Sequence, residues 1–122
     1  MDLVQVAQHA DDLERANGFY ENLLGAPARA VFDPPGLVFF QVGATRLLLD
    51  RAAPSALVYL GVDDLAATVE RLRASGVDIH TEPHVIFRHD DDALGPAGTD
   101  EQHAFIRDSE DNLVGLVAFA TG

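Results

Sequence analysis

Cysteine is absent from this 122-residue chain, and long apolar runs are missing too. Without cysteine there are no disulfides, no thiolate nucleophiles and no cysteine-ligated zinc, while the redox compartment stays undetermined. No stretch approaches the roughly 18 uninterrupted apolar residues of a membrane span. The N-terminal "MDLVQVAQHADD" has no basic region followed by an apolar block, so we expect no signal peptide and a cytoplasmic protein.

Positive charge is scarce, because the chain has eight arginines and 20 acidic residues, which give a net charge of −12. A chain this acidic repels phosphate backbones and anionic lipid, so we expect neither nucleic acid nor a membrane surface as a partner. The excess charge either keeps a small protein soluble or forms a field that attracts a cationic ligand. Nucleotide-binding glycine motifs and a serine nucleophile elbow are also missing, so neither a nucleotide cofactor nor nucleophilic catalysis has support.

The chain length predicts one domain spanning residues 1–122, and 48% apolar residues suffice for a core. Two segments of it share one design, in which a strand leads through an acidic pair into an amphipathic helix. Asp12 and Asp64 are placed as N-caps, and Gly25 and Gly76 are placed to end the two helices in the left-handed conformation.

Three strand patterns follow each predicted helix. In the first half they are "ARAVF", "LVFFQVG" and "TRLLLD", and in the second half "VDIHTEPHVIF", "EQHAFIRD" and "NLVGLVAF". The sequence therefore predicts an internal repeat, residues 1–53 and 54–122, joined through the linker "RAAPSA". The predicted fold class is α+β, with two βαβββ modules forming a cleft-bearing mixed sheet.

The segment from Arg88 to Glu101 is the one long irregular stretch. Its glycines, proline and acidic residues predict a surface loop that either stays solvated or acts as a lid. We expect the three consecutive aspartates, residues 90–92, to be solvated and His89 beside them to face solvent.

The closing "FIRDSEDNLVGLVAF", the passage "DDLERANGFYENLLG" and the paired βαβββ plan resemble the vicinal oxygen chelate superfamily. That superfamily includes the glyoxalase I, bleomycin-resistance, methylmalonyl-CoA epimerase and extradiol dioxygenase types. Its closing motif is Asp-Pro-Asp-Gly-Asn, and here Ser109 replaces the proline and Asp111 replaces the glycine. The resemblance covers essentially the whole chain and is more specific for fold than for activity.

The resemblance implies four metal-ligand positions, two in each half, on the first and last strands. They fall at Gln5, Leu48, Leu57 and Gly115, so only one position offers a donor. Asp50 restores a carboxylate only if the alignment shifts by two residues. We therefore expect no metal and no cofactor at the inherited site. Gly115 then leaves room for a ligand, and replacing it by alanine should be nearly silent.

The cleft wall is predicted from strand alternation. Ala7 and His9 share a face with Gln5, and Tyr59 shares one with Leu57, whereas the facing of Phe105 stays open. His84 and His103, with Glu101 or Asp100, form either a displaced metal site, an acid–base pair, or a set of structural and surface residues. The predicted cleft therefore contains ten residues: Gln5, Ala7, His9, Leu48, Leu57, Tyr59, His84, His103, Phe105 and Gly115.

The function favoured by these observations is small-molecule binding without a metal, as the resemblance to the bleomycin-resistance type implies. The ligand would be cationic or aromatic, and the protein a homodimer. The alternative is a lyase, isomerase or epimerase of the glyoxalase type with a displaced metal or a histidine base.

Overall fold

A computed structural model describes residues 1–121 of the chain. These residues form eight strands and two helices in the order βαβββ–βαβββ. In the first half the elements are β1 (Gln5–His9), α1 (Leu13–Leu24), β2 (Ala30–Phe32), β3 (Leu37–Val42) and β4 (Thr45–Asp50). In the second half they are β5 (Val58–Gly61), α2 (Leu65–Ala74), β6 (Asp78–Arg88), β7 (Thr99–Arg107) and β8 (Leu113–Thr121).

The chain divides into two compact units. The first consists of Met1–Leu57 together with the short turn Asp108–Asn112, and the second of Val58–Arg107 together with the strand that begins at Leu113. Each unit contains one helix and one four-stranded mixed sheet. The turn between β7 and β8 therefore belongs to the unit that does not contain those strands.

Helix α1 of the first unit begins and ends where its capping residues require. The Asp12 side chain accepts a hydrogen bond from the Arg15 backbone N–H at 3.0 Å, and Gly25 adopts φ 74° after the last turn. Glycine takes this left-handed conformation without a Cβ clash. The buried side chains recur at helical spacing on one face: Leu13, Ala16, Tyr20 and Leu23.

The first sheet has the strand order β1-β4-β3-β2, in which β1 and β4 are parallel and the other pairs antiparallel. Side chains that alternate along β3 and β4 pack under α1, and they are Val38, Phe40, Leu47 and Leu49. Each such side chain contributes about 1.5–3 kcal/mol when it leaves water. The opposite face, which has no helix, carries Ala7, Phe39 and Leu48 at paired positions.

The second unit repeats the arrangement. Asp64 caps α2 by accepting from the Ala67 N–H at 3.0 Å, and Gly76 adopts φ 86° just after the helix. The buried face of α2 consists of Leu65, Val69 and Leu72.

The second sheet has the order β5-β8-β7-β6, again with one parallel pair, β5 and β8. The face toward α2 buries Ala104, Ile106, Val114, Leu116 and Ala118. Tyr59, Gly115 and Phe105 are register partners on the opposite, helix-free face. Strand β6 forms one edge of this sheet and contains irregularities in its pairing with β7.

The fold class predicted from the sequence is confirmed, and hydrogen bonding forms a separate four-stranded sheet in each module. The irregular stretch is shorter than predicted, because β6 extends through Arg88 and β7 already begins at Thr99. In the described residues, no helix is long and apolar enough to cross a membrane.

Candidate functional site

Four of the predicted cleft residues lie on β1 and β4 of the first unit. The register pairs Ala7 with Leu48, and alternation puts Gln5, Ala7 and His9 on the helix-free face. The Gln5 side-chain oxygen accepts a hydrogen bond from Arg46 Nε at 3.2 Å. The Gln5 amide is therefore already engaged within its own sheet.

His9 is held at the end of β1 by two contacts. Its Nδ1 lies 3.1 Å from the Ala53 carbonyl, and its Nε2 lies 2.8 Å from an Asp11 carboxylate oxygen. The hydrogen bond to Asp11 is the main reason that the pKa of this imidazole is raised, although burial opposes the rise. Leu57 lies just before β5, and nearly half of its surface is exposed.

The inherited positions do not fit a metal ion. Mg, Mn, Fe, Ni or Zn sites need several oxygen or nitrogen donors that converge at about 2 Å. Leu48, Leu57 and Gly115 supply none, and the Gln5 oxygen accepts from Arg46. The carboxylate of Asp50 accepts instead from the backbone N–H of Ala52 at 2.9 Å. Among residues 1–121, no group of three or more His, Cys, Asp or Glu side chains could hold a metal ion.

In the second unit, the space above Gly115 is filled by a tyrosine ring. A Cβ built on Gly115 would lie 2.6 Å from Tyr59 Cδ1 and 3.2 Å from Phe105 Cε1. The two rings meet edge to face, with 5.8 Å between their centroids. Tyr59 is 50% exposed, so this ring forms an accessible wall on the helix-free face. The missing side chain at Gly115 therefore accommodates Tyr59.

Next to this wall, one carboxylate bridges two imidazoles. Glu101 Oε2 lies 2.6 Å from His103 Nε2, and Glu101 Oε1 lies 2.8 Å from His89 Nε2. Burial opposes the ionisation of Glu101, but the hydrogen bonds to His103 and His89 outweigh it and lower the pKa of the carboxyl. The His103 ring also lies 5.5 Å from the Tyr59 ring. The arrangement therefore places a charged carboxylate beside the aromatic wall.

The expectation that His89 faces solvent is wrong, because this residue is only 2% exposed. The rings of Phe87 and Phe119 lie 4.6 Å and 5.5 Å from its imidazole. Gly95 packs against Phe119 and His89, since a Cβ there would approach Phe119 to 2.5 Å and His89 Nε2 to 2.9 Å. The rings come together only after β6, β7 and β8 have paired, so the local sequence gave no signal for this burial.

The consecutive aspartates shape the loop between β6 and β7. The carboxylate of Asp91 accepts from the Ala93 N–H at 3.0 Å, and that of Asp92 accepts from the Ala97 N–H at 2.8 Å. Such side-chain to backbone bonds stabilise turns in place of regular structure. The two carboxylates are therefore engaged in folding the loop.

His84 is the register partner of His103, but the structure gives its side chain a different neighbour. The His84 Nδ1 lies 3.0 Å from the Glu82 carbonyl, and the residue is exposed. Asp100, the other predicted acid, is paired with Arg88 at 3.2 Å. Of the predicted acid–base residues, only His103 and Glu101 meet directly, and His89 joins them.

The turn of the closing motif organises the first unit. Asp108 is 6% exposed and accepts from the Tyr20 hydroxyl at 2.7 Å and from the Asn112 side-chain amide at 2.9 Å. Burial first, and then the Asp108 charge, raise the pKa of the Tyr20 phenol, so it remains a donor. The Asn112 amide also donates to the His9 carbonyl at 2.8 Å. Asp111 takes φ 67°, the left-handed conformation, at the position of the glycine in the resembled motif.

Two cavities in the first unit were not predicted from the sequence. One of about 360 Å³ lies beside the first turn of α1, and its lining includes Asp12, Glu14, Asp33 and Arg51. The other, of about 300 Å³, is lined by Arg29, Ala30, Phe32, Phe39, Phe40, Gln41 and Arg46. Neither cavity includes any of the ten predicted cleft residues. The walls of the first come from the start of α1, the β2–β3 hairpin and Arg51, and those of the second come from Arg29 and strands β2, β3 and β4. The repeat pattern carried no signal for either.

Comparison with known proteins gives one family. The model of the Glyoxalase/Bleomycin resistance protein/Dioxygenase superfamily matches residues 2–116. Similar solved structures include a lactoylglutathione lyase from Agrobacterium tumefaciens, with 25% identity and a TM-score of 0.66 over 96% of this chain and 92% of that one. A superfamily protein from Alicyclobacillus acidocaldarius has 17% identity and a TM-score of 0.68 over 97% and 91%. A virulence protein from Salmonella typhimurium has 17% identity and a TM-score of 0.72 over 98% of both chains. No curated protein matches the sequence.

Proposed function

Because the chain belongs to the glyoxalase/bleomycin resistance protein/dioxygenase superfamily, we propose that it is a small-molecule-binding member of the bleomycin-resistance type. Its ligand is aromatic and cationic, and binding uses no resident metal. The observation that carries this proposal is the half-exposed Tyr59 ring beside Phe105 and His103, with the Glu101 carboxylate 2.6 Å from His103.

The chemistry of this wall suits a flat cation. Aromatic faces attract cations through their quadrupoles, by about 0.5–2 kcal/mol depending on exposure. The lowered pKa of Glu101 keeps its carboxylate negatively charged at neutral pH, so the carboxylate also attracts a cation. The net charge of −12 raises the local concentration of cations around the whole molecule. Binding alone requires no catalytic group, which agrees with the unsuitable donors at the inherited metal positions.

The proposal is tested with benzyltrimethylammonium as an aromatic cation, benzyl alcohol as a neutral ring and tetramethylammonium as a cation without a ring. Backbone amide NMR spectra of the full chain should show saturable shifts at Tyr59 and Phe105 for the first probe, and weaker binding of the other two. Equal binding of benzyl alcohol would remove the role of charge, and no saturable binding by any probe would refute the site.

Variants separate the contributions of ring and charge. Glu101→Gln and Tyr59→Leu should each weaken binding of benzyltrimethylammonium by about tenfold, which corresponds to 1.4 kcal/mol. Glu70→Gln is the matched control, because it removes the same charge from an exposed position on α2. An unchanged affinity in Glu101→Gln, with its fold intact by circular dichroism, would contradict the proposed role of this carboxylate.

The second candidate is an enzyme of the glyoxalase type with His103 as its base. It is favoured by the hydrogen bond that the Glu101 carboxylate accepts from His103 Nε2, because a carboxylate that orients an imidazole is a recurring arrangement in acid–base catalysis. Formation of lactoylglutathione by the purified protein would support it, provided that His103→Gln abolishes the activity. If the protein binds the aromatic cation but shows no turnover, only the first candidate remains.

A further inference from the structure

The smaller cavity of the first unit combines an apolar wall with two arginines. Its volume is about 300 Å³, and its lining contains no acidic residue. The chain has 20 acidic residues and only eight arginines, so a cavity with two cations and no acid contrasts with the rest of the molecule. The strand register explains the proximity, since Ala30 pairs with Phe39 and Gln41 pairs with Arg46.

The aromatic part of the cavity is provided by two rings on the helix-free face. Phe32 and Phe39 meet edge to face, with 6.0 Å between their centroids. Phe32 is 50% exposed, so part of its surface remains accessible to a ligand. A flat apolar group placed here would remove further ring surface from water, which favours its binding.

The charged part of the cavity is available for a ligand. Arg46 holds its guanidinium carbon 5.8 Å from the centre of the Phe39 ring, and its Nε donates to Gln5. The backbone N–H of Arg29 donates to the Phe39 carbonyl at 2.7 Å, which fixes this residue at the cavity. Within residues 1–121, neither guanidinium forms an ion pair with a carboxylate.

We propose that this cavity binds a small aromatic carboxylate. The ring lies against Phe32 and Phe39, and the carboxylate accepts hydrogen bonds from Arg29 and Arg46. The planar guanidinium fork matches the geometry of a carboxylate and is less strongly hydrated than an ammonium group. This site is independent of the proposed function, because it lies on other residues and takes a ligand of the opposite charge.

The experiment uses the full chain and 2-naphthoate as the probe, with 2-naphthamide and inorganic phosphate as comparisons. Titration followed by backbone amide NMR should give saturable shifts at Ala30, Phe39 and Gln41, with a dissociation constant of about 1 mM or tighter. The amide analogue keeps the ring without the charge, and phosphate keeps the charge without the ring. Both should bind at least about tenfold more weakly.

Charge-matched variants locate the site. Arg29→Gln and Arg46→Gln should each weaken binding of 2-naphthoate by about tenfold, because a charge-assisted hydrogen bond is lost. Arg71→Gln makes the same charge change on α2 and should have no effect. Arg29 is exposed, so its variant still decides the question if Arg46→Gln fails to fold.

Several outcomes would overturn the proposal. The first is that 2-naphthoate shows no saturable binding, and the second is that 2-naphthamide or phosphate binds as tightly as 2-naphthoate. The third is that Arg71→Gln weakens 2-naphthoate binding as much as Arg29→Gln and Arg46→Gln do. Shifts confined to Tyr59, Glu101 and Phe105 would also overturn it, because the probe would then occupy the other site. Loss of benzyltrimethylammonium binding alone would leave this inference intact.

Discussion

At the scale of single residues, Gly115 shows that neighbouring side chains determine whether the space left by a glycine is empty or filled. The resemblance to metal-binding relatives identified the position, and strand alternation put it on the helix-free face. The distances from Tyr59 and Phe105 show that the space is filled by rings of the same sheet. A nearly silent alanine, the expectation from the sequence, does not fit a Cβ that would lie 2.6 Å from Tyr59 Cδ1.

We therefore expect Gly115→Ala to lower the free energy of unfolding by about 1–2 kcal/mol, because overpacking forces the Tyr59 ring to move. Urea denaturation measures the change. The matched background is Tyr59→Ala, in which the same substitution should cost clearly less, since the ring that obstructs the methyl group is gone. Equal costs in both backgrounds would show that the strain lies elsewhere.

His89 was misjudged for a related reason. Its sequence neighbours are three aspartates, which predict a solvated loop. Its burial comes from rings on β6 and β8 and from the Glu101 carboxylate on β7. Contacts between residues far apart in sequence can be recognised only once the register of the sheet is known. The composition around His89 predicts only what its neighbours in the sequence favour.

At the scale of secondary-structure elements, the helix ends were predictable because capping is local. Asp12 and Asp64 accept from the N–H three residues ahead, and Gly25 and Gly76 adopt positive φ after the helices. The strand bounds were predicted to within a few residues. The separate hydrogen bonding of two sheets and the transfer of the turn 108–112 to the other unit depend on tertiary contacts, so the sequence did not reveal them.

Gly76→Val should lower the free energy of unfolding by about 1 kcal/mol or more. Apart from its two chain neighbours, no atom of residues 1–121 lies within 4 Å of a Cβ built at this position, so the cost arises from the backbone, which has φ 86°. A β-branched residue fits that conformation poorly. Gly76→Asn is the control and should cost less, because asparagine tolerates it. Thermal melts of the two variants check the order, and equal melting temperatures would contradict it.

The closing turn is coupled to the start of α1 through an ion pair. Glu110 has a side chain that is 1% exposed, and it accepts from Arg15 Nε at 2.7 Å and from the Asp12 N–H at 2.8 Å. Hydrogen bonding from Arg15 is the main cause that lowers the pKa of Glu110 to about 2, with burial opposing it. A carboxylate at a helix N-terminus also gains from the helix dipole.

This pair predicts an acid-dependent stability. A carboxyl whose pKa is lower in the folded state contributes fully above its unfolded value of 4.5 and loses that contribution as the pH falls toward about 2. We expect the free energy of unfolding to decrease across this window by up to a few kcal/mol, as one pKa unit corresponds to about 1.4 kcal/mol. Glu110→Gln should be less stable at neutral pH and show a flatter decline. Urea titrations at stepped pH measure both, and parallel curves would contradict the assignment.

At the scale of the whole molecule, the sequence predicted the fold class but not the placement of the chemistry. The paired βαβββ pattern predicted two modules with one helix and four strands each, but not the separate hydrogen bonding of two sheets. The site was harder, because the ten cleft residues were inferred by counting along strands. The structure joins Tyr59, His103, Phe105 and Gly115 into one cluster, but it also brings in His89 and Glu101 through ring packing and hydrogen bonds. The smaller cavity of the first unit, which contains Arg29 and Arg46, arises from the register of neighbouring strands, and the sequence did not show that register.

The last prediction concerns self-association. Strand β6 forms an edge of the second sheet, and near its end Val85, Ile86 and Phe87 are each about half exposed. An apolar edge with unpaired backbone groups is a template for pairing with another strand, and a second copy of the chain offers the same edge. We therefore expect a homodimer in sedimentation velocity at micromolar concentration. Ile86→Lys should shift the protein to monomer, because the charge would be buried in the interface. Leu94→Lys, at a loop position with 79% exposure, is the control and should stay dimeric. A wild-type monomer would refute the dimer, and a dimer that tolerates Ile86→Lys would move its interface away from β6.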